Sequence, residues 1–320
     1  MMHYLPTLLR RSLRLFLTLA KVMVPVLVAV RIGESVGLVD AIGRLIAPAM
    51  SVIGLPPEAG IIWVTGVFTG VYGAVAALIG FASTLELTSA QLSALCAMIV
   101  FAHSLPVEQS IVRRAGASFW ITCALRLGAA AFYGGVVTWI CGLAGALQDP
   151  VSLTWLQGSQ LAADSAGHGL LAWIFSTAFS LGLTFVIILA LLLFLDLLER
   201  TGVTRRITAL LTPVLRISGL EPRAAPVTTV GVLLGLTYGG ALIIEEAEKQ
   251  QFTARTRFLA LSWLSLSHGL IEDTALMLAL GADIWVVLAG RVLLTLVVVG
   301  ALARLWPDRA GGVDLQAGRA

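Results

Sequence analysis

Long apolar runs dominate this chain, at positions 15–31, 59–82, 117–146, 169–197, 224–244 and 284–305. Each is long enough to cross a hydrocarbon layer of about 30 Å as a helix rising about 1.5 Å per residue. Two segments between them, 36–54 and 201–219, mix apolar and polar positions at helical spacing and predict amphipathic helices. Further helices are expected over 88–103 and 253–268, each ending on a histidine. No segment alternates apolar and polar residues over about 10 positions, as the strands of a membrane barrel do. The pattern predicts an all-α polytopic membrane protein.

The same series of elements occurs twice. Sliding residues 37–126 over 202–291 gives 22 identities in 90 ungapped pairs. Gly37, Pro48, Gly54, Pro57, Gly66, Gly70, His103, Gly116, Trp120 and Arg126 match Gly202, Pro213, Gly219, Pro222, Gly231, Gly235, His268, Gly281, Trp285 and Arg291. Shared apolar composition produces aliphatic coincidences, but it does not align His, Trp and Arg. Two membrane repeats are therefore expected, over 1–146 and 168–306. A linker over 147–167 joins them, and a disordered cytoplasmic tail over 307–320 follows.

Arginine placement predicts orientation, because short cytoplasmic loops are enriched in Lys and Arg. Arg10 to Arg14, Arg113 with Arg114, the group Arg200, Arg205, Arg206, Arg216 and Arg223, and Arg304 with Arg309 are all expected on the cytoplasmic side. The equivalent stretches of the opposite copy carry acids instead. Glu34, Asp40 and Glu58 stand against the 200–223 group, and Glu272, Asp273 and Asp283 against Arg113 and Arg114. The repeats are thus expected to be inverted, with both termini cytoplasmic in a bacterial inner membrane.

Residue 32 outside and residue 114 inside require an odd number of crossings. One crossing by 59–82, with a re-entrant hairpin over 88–115 and an interfacial helix over 36–54, satisfies this. A count in which all three segments cross satisfies it too, and Pro106 with the polar positions in 36–54 favours the hairpin. Each repeat is then expected to hold three spanning helices, one re-entrant hairpin and one interfacial amphipathic helix.

Composition narrows the function classes. The 320 residues are 58% hydrophobic and 12% charged, against about 25% charged in soluble domains. The net charge of +3 comes from arginines flanking helices, which points to the lipid bilayer and not to nucleic acid. Cys96, Cys123 and Cys141 lack metal-ligand spacing. Neither a GxxxxGK[ST] phosphate loop nor an H-E-x-x-H helix occurs, so no nucleotide-driven step, enzyme activity or cofactor is expected.

The recurring ionisable residues are the candidate site. His103 lies eleven residues before Arg114 and Arg126 twelve after it, roughly 16 and 18 Å of helix, so both approach the membrane midplane. By inversion His268 and Arg291 approach it from the other side. Glu108 and Asp273 also match at the repeat offset, and Glu272 is extra to the second copy. A charge at this depth costs at least about 2.5 kcal/mol on insertion scales and is normally paired or lines a polar cavity. Arg126 with Glu108 and Arg291 with Asp273 either neutralise each other structurally or open to receive a solute. Both histidines suit carbonyl hydrogen bonding, proton movement or ligand contact. The glycine stretches 66–73 and 231–240 suit close helix packing or unwound backbone beside a cavity, and Tyr72 and Tyr238 within them suit core packing or stacking on a planar ligand.

The glycine-rich helix followed by HSLPVE (103–108) and HGLIED (268–273) resembles the nucleoside recognition, or Gate, family of bacterial membrane proteins. That family includes spore maturation proteins A and B, with related gates in concentrative nucleoside transporters and ferrous iron transporter B. The resemblance covers about 36–145 and 201–305 and implies an inverted-repeat, transporter-like core without fixing a substrate. The expected function is a secondary transporter binding a small anionic or nucleoside-like solute between the repeats. A divalent-metal transporter using the His and carboxylate pairs, and a non-transporting scaffold of the spore-maturation type, are the alternatives. A homo-oligomer is compatible with all three.

Overall fold

A computed structural model describes residues 4–157 and 170–306, and these are helical almost throughout. Helix α1 (Tyr4–Ser35) passes through a left-handed glycine, Gly37, into α2 (Leu38–Ile53), one of the expected amphipathic helices. Gly54 ends α2 at φ 80°, with its N–H on Ser51 O and the Leu55 N–H on Met50 O. This double bond satisfies carbonyls that the helix end would otherwise leave open. Helix α3 (Pro57–Thr69) begins on proline, whose missing N–H costs nothing there. The end of α2 and α3 meet at 94°, which suits one helix lying flat against another that stands upright.

The first copy continues with α4 (Val71–Phe81), β1 (Leu87–Thr88), α5 (Ser89–Phe101), α6 (Leu105–Arg114) and α7 (Phe119–Ala144). A short strand β2 (Pro150–Val151) pairs antiparallel with β1, Leu87 opposite Val151. Then come α8 (Leu170–Arg200), α9 (Val203–Ile217), α10 (Ala224–Leu234), α11 (Leu236–Lys249), α12 (Ala254–Ser267) and α13 (Glu272–Ala279). A π-helix (Trp285–Gly290) runs into α14 (Arg291–Leu305). Part of the expected linker and all of the expected tail lie outside the described residues.

The sequence repeat has a backbone counterpart. Gly37, Gly54, Gly70 and Gly116 have φ of 70°, 80°, 98° and 99°, and Gly202, Gly219, Gly235 and Gly281 have 72°, 87°, 96° and 99°. Those identities mark places where a residue with a Cβ is strained. Ser104 and Gly269, which are not identical, share the same left-handed turn at φ 48° and 61°.

Three expectations need correcting. The glycine-rich runs 59–82 and 224–244 are not continuous helices, because each breaks at its left-handed glycine, between α3 and α4 and between α10 and α11. Backbone from the histidine segment docks on each break: Ser104 N–H donates to Gly66 O at 3.0 Å, and Leu270 N–H to Val232 O at 3.1 Å. Nor does 88–115 double back as a hairpin. Ser89–Arg114 forms one apolar stretch long enough to cross a membrane, interrupted between α5 and α6. Pro106 sits in the first turn of α6, where proline starts a helix and does not reverse the chain. Finally, three spanning helices per repeat are not seen. Among the described residues four helices are long and apolar enough, Ser89–Arg114, Phe119–Ala144, Trp173–Leu198 and Trp285–Leu305, with a fifth if the bent α2–α3 pair is one span.

Burial explains the remaining pattern. In α5 every residue except Ser89 and Gln91 is buried, and α12 is buried almost throughout from Phe258 to Ser267. Helices enclosed on all sides have no need of an amphipathic stripe. Large apolar side chains on α7 and the π-helix face outward instead, with Trp120 and Trp285, equivalent positions, 79% and 75% exposed. Exposed tryptophans at helix ends suit a membrane interface.

The breaks yield a graded prediction. At Gly70 (φ 98°, ψ 179°) a Cβ would lie 2.6 Å from Ser104 Oγ, whereas at Gly235 nothing lies within 4 Å. Both substitutions force a backbone region that is essentially glycine-only, at about 1–3 kcal/mol. Gly70→Ala should therefore lower the thermal unfolding temperature more than Gly235→Ala, and equal losses would contradict the docking of Ser104 on the break.

Candidate functional site

Where α5 stops at Phe101, its last carbonyls lose their helical N–H partners in a fully buried setting. Unpaired buried carbonyls are costly, and the candidate residues turn out to be what satisfies them. Met98 O keeps its helical partner, Ala102 N–H, and also accepts from the Trp63 indole, both at 3.1 Å. His103 Nδ1 donates to Ile99 O at 2.9 Å. Arg291 Nη2 reaches across from the second copy to Val100 O at 2.7 Å. Arg126 Nε donates to Phe101 O at 2.7 Å and its Nη2 to His103 O at 3.1 Å.

The end of α12 is held in the same way. Arg291 Nε donates to Leu266 O at 2.9 Å and its Nη2 to His268 O at 3.0 Å. Leu266 and His268 occupy the repeat positions of Phe101 and His103. Both guanidiniums are completely buried. Arg291 also cross-links the copies, since one nitrogen serves Val100 and His268 together, and its guanidinium lies 5.7 Å from the Phe101 ring centroid.

The two carboxylates differ. Glu108, in the first turn of α6, receives Arg126 Nη1 at 2.5 Å. Its oxygens also lie 3.1 Å from His268 Nε2 and 3.4 Å from His103 Nε2, so one first-copy acid meets the histidines of both copies. The two imidazole rings meet edge to face at 4.9 Å, and Arg126 Nη2 lies 3.3 Å from His268 Nε2. Asp273, one methylene shorter, stops 3.9 Å from Arg291 Nη1. Asp273 Oδ2 and Arg291 Nη1 are both buried without a hydrogen-bond partner.

Six of the eight expected residues are thus brought together: His103, Glu108, Arg126, His268, Asp273 and Arg291. Tyr72 stands nearby on α4, within electrostatic range of Glu272 and Asp273, and its buried hydroxyl also has no partner. The side chain of Tyr238 lies outside the described residues. Donor atoms of His103, His268 and Asp273 fall within 4.8 Å of one another, a spacing compatible with a shared cation.

Several participants escape sequence reading. The five main-chain carbonyls that the arginines hold carry no side-chain signature. Tyr133 on α7 donates to Val286 O at 2.7 Å inside the π-helix, and any side chain at Gly290 would strike its hydroxyl. Ser267 bonds Thr295 at 2.7 Å, a pair replaced by Ala102 and Ala130 in the first copy. The run Gly33-Glu34-Ser35-Val36-Gly37 has the letters of a G-x-S-x-G nucleophile motif. That motif needs a strand-to-helix turn, whereas Ser35 ends α1 and donates to Ile32 O at 2.8 Å.

The arginine geometry predicts that charge alone cannot replace it. A lysine presents a point charge and cannot hold two carbonyls and a carboxylate in one plane. Arg126→Lys should therefore destabilise the protein nearly as much as Arg126→Ala, by about 3 kcal/mol, the usual cost of removing one partner of a buried pair. Wild-type thermal stability in the Lys variant would refute the clamp.

The family model described as nucleoside recognition (Gate) matches this chain twice, over residues 16–118 and 181–283, with the same displacement as the sequence repeat. The chain is also similar to the uncharacterized membrane protein YvoD of Bacillus subtilis (strain 168), 27% identical over 298 residues covering 90% of each chain. No solved structure matches it. The two matches take in His103, Glu108, His268 and Asp273 and the eight recurring glycines, and they stop short of Arg126 and Arg291. This membrane protein belongs to the nucleoside recognition (Gate) family.

Proposed function

We propose that the protein is a secondary transporter of the bacterial inner membrane, with both termini cytoplasmic. Its two repeats would be inverted, and its solute would bind near the midplane where the two histidine breaks meet. The observation that carries this reading is the difference between the two ion pairs. Arg126 and Glu108 are closed on each other, whereas Arg291 Nη1 and Asp273 Oδ2 are buried, 3.9 Å apart and unsatisfied. Buried polar atoms are nearly always partnered, so an orphaned donor beside an orphaned acceptor marks a place for a third group.

The chemistry of the pair selects among solutes. A bare anion offers only acceptors and would have to displace Asp273, whereas a group carrying an acceptor beside a donor satisfies both atoms at once. Amides and nucleobase edges have this form, which favours the nucleoside-like solute over the simple anion. Tyr72 supplies a neighbouring hydroxyl. Broken helices around a central site are a recurring device of secondary transporters, in which one repeat rocks against the other. No chemical reaction is assigned to the site.

A second reading, transport of a divalent metal, draws on the 4.8 Å cluster of His103, His268 and Asp273. Imidazole and carboxylate suit several transition metals. Two fully buried arginines in the same cluster oppose any added cation.

A thermal-shift screen of purified protein against nucleosides, organic anions, phosphate and divalent metals separates these readings. Nucleosides should stabilise the wild type. Asp273→Asn, which puts a donor where the solute needs an acceptor, should weaken that binding at least about tenfold. A shift produced by metals alone would transfer the site to the second reading, and a nucleoside shift unchanged by Asp273→Asn would remove the pair from recognition.

A further inference from the structure

We propose that the corner between α8 and α9 binds an anionic phospholipid, its phosphate on Arg205 and Arg206 and an acyl chain in the adjoining apolar groove. The groove, about 670 Å³, runs between α8, α9, α13, the π-helix and α14. Leu198, Ile207, Leu211, Leu288, Val292 and Leu296 line it, and Thr274 is its single polar lining residue. A second recess of about 420 Å³ shares Phe194 with it and continues along α8 to Arg200.

Basic groups stand at the adjoining corner. Arg200, Arg205 and Arg206 are exposed at the turn through Gly202. Arg205 lies over that turn, its Nη2 3.8 Å from where a Gly202 Cβ would stand. Arg206 is one helical turn before Leu210, a groove residue on the same face of α9. An apolar slot with cationic groups at one end complements a molecule with an anionic head and a hydrocarbon tail.

The first copy offers a contrast, because it lacks the basic corner and carries polar residues at three of the groove positions. At the positions of Arg200, Arg205 and Arg206 it has Ser35, Asp40 and Ala41, and at those of Thr274, Ala275 and Leu278 it has Gln109, Ser110 and Arg113. The basic corner and an apolar surface beside it thus occur together in the second copy. A second copy of the protein is a poorer occupant, since docking by the same face would bring arginines against arginines. The inner wall of the groove includes Leu270, Ile271 and Thr274, flanking Asp273, so a bound acyl chain braces the second helix break. This inference does not depend on the identity of the solute.

Native mass spectrometry of the full-length protein in dodecyl maltoside, with equal amounts of dioleoyl-phosphatidylglycerol or dioleoyl-phosphatidylcholine added, provides the test. Phosphatidylglycerol adducts should survive activation that strips phosphatidylcholine. The double variant Arg205→Gln/Arg206→Gln should weaken phosphatidylglycerol binding roughly tenfold or more, to the level of phosphatidylcholine. Ala289→Trp, placed in the groove wall, should weaken both lipids. Equal retention of the two lipids by the wild type, or unchanged phosphatidylglycerol retention in the double variant, would overturn the proposal. Lipid-free dimers would overturn it in favour of a second copy. Should the double variant fail to fold, unchanged lipid retention by Ala289→Trp overturns it independently.

Discussion

A helix that stops inside an apolar interior leaves carbonyl groups that no water reaches, and this protein satisfies them with two fully buried arginines. Each guanidinium binds the carbonyls of its own copy's histidine break, at Phe101 and His103 or at Leu266 and His268. A positive charge at a helix C-terminus also meets the negative end of the helix dipole. The arginine is thus cap, counter-charge and tie at once. Its burial is tolerable only because the acid and the carbonyls replace its lost hydration. The glycine breaks between α3 and α4 and between α10 and α11 follow from the same arrangement, since backbone from the histidine segments docks on both.

Much of this was legible in the sequence because the demands are local. A left-handed turn needs glycine, so Gly37, Gly54, Gly70 and Gly116 recur at their repeat positions, and an intramembrane arginine needs a partner, so Arg126 and Arg291 recur with Glu108 and Asp273. The gathering of His103, His268, Arg126, Arg291, Glu108 and Asp273 was expected instead from their depth along the two copies and from inversion, with hairpin tips as the expected meeting point. What stayed hidden was geometry carried by the backbone. Gly66 and Gly70 read equally well as packing positions or as a break, and the choice depends on Ser104, far along the chain. Pro106 suggested a reversal because a proline's meaning depends on whether it opens a helix or interrupts one. The reach of Arg291 to Val100 has no sequence signal, because its acceptor is a carbonyl that every residue possesses.

Duplication followed by divergence accounts for the asymmetry. Glu108 and Asp273 differ by one methylene, and that difference separates a closed pair from one with a free donor and a free acceptor. Symmetric halves would each lock themselves. Here the first copy holds the hydrogen-bonded pair, and the second copy holds the pair that stands 3.9 Å apart. The π-helix before Arg291 lies in the same half, tied to α7 through Tyr133, and such distortions of α-helices recur at functional sites.

Double-mutant cycles on the two ion pairs, read from equilibrium unfolding in mixed micelles, test this asymmetry most directly. Arg126→Ala with Glu108→Ala should show a large interaction energy, toward the upper end of the roughly 0.5–3 kcal/mol found for contacting residues. Arg291→Ala with Asp273→Ala should show a much smaller one, because those atoms stand 3.9 Å apart without a hydrogen bond between them. Equal coupling in the two cycles would mean that the second pair is as closed as the first, and would contradict the asymmetry on which the proposed solute site rests.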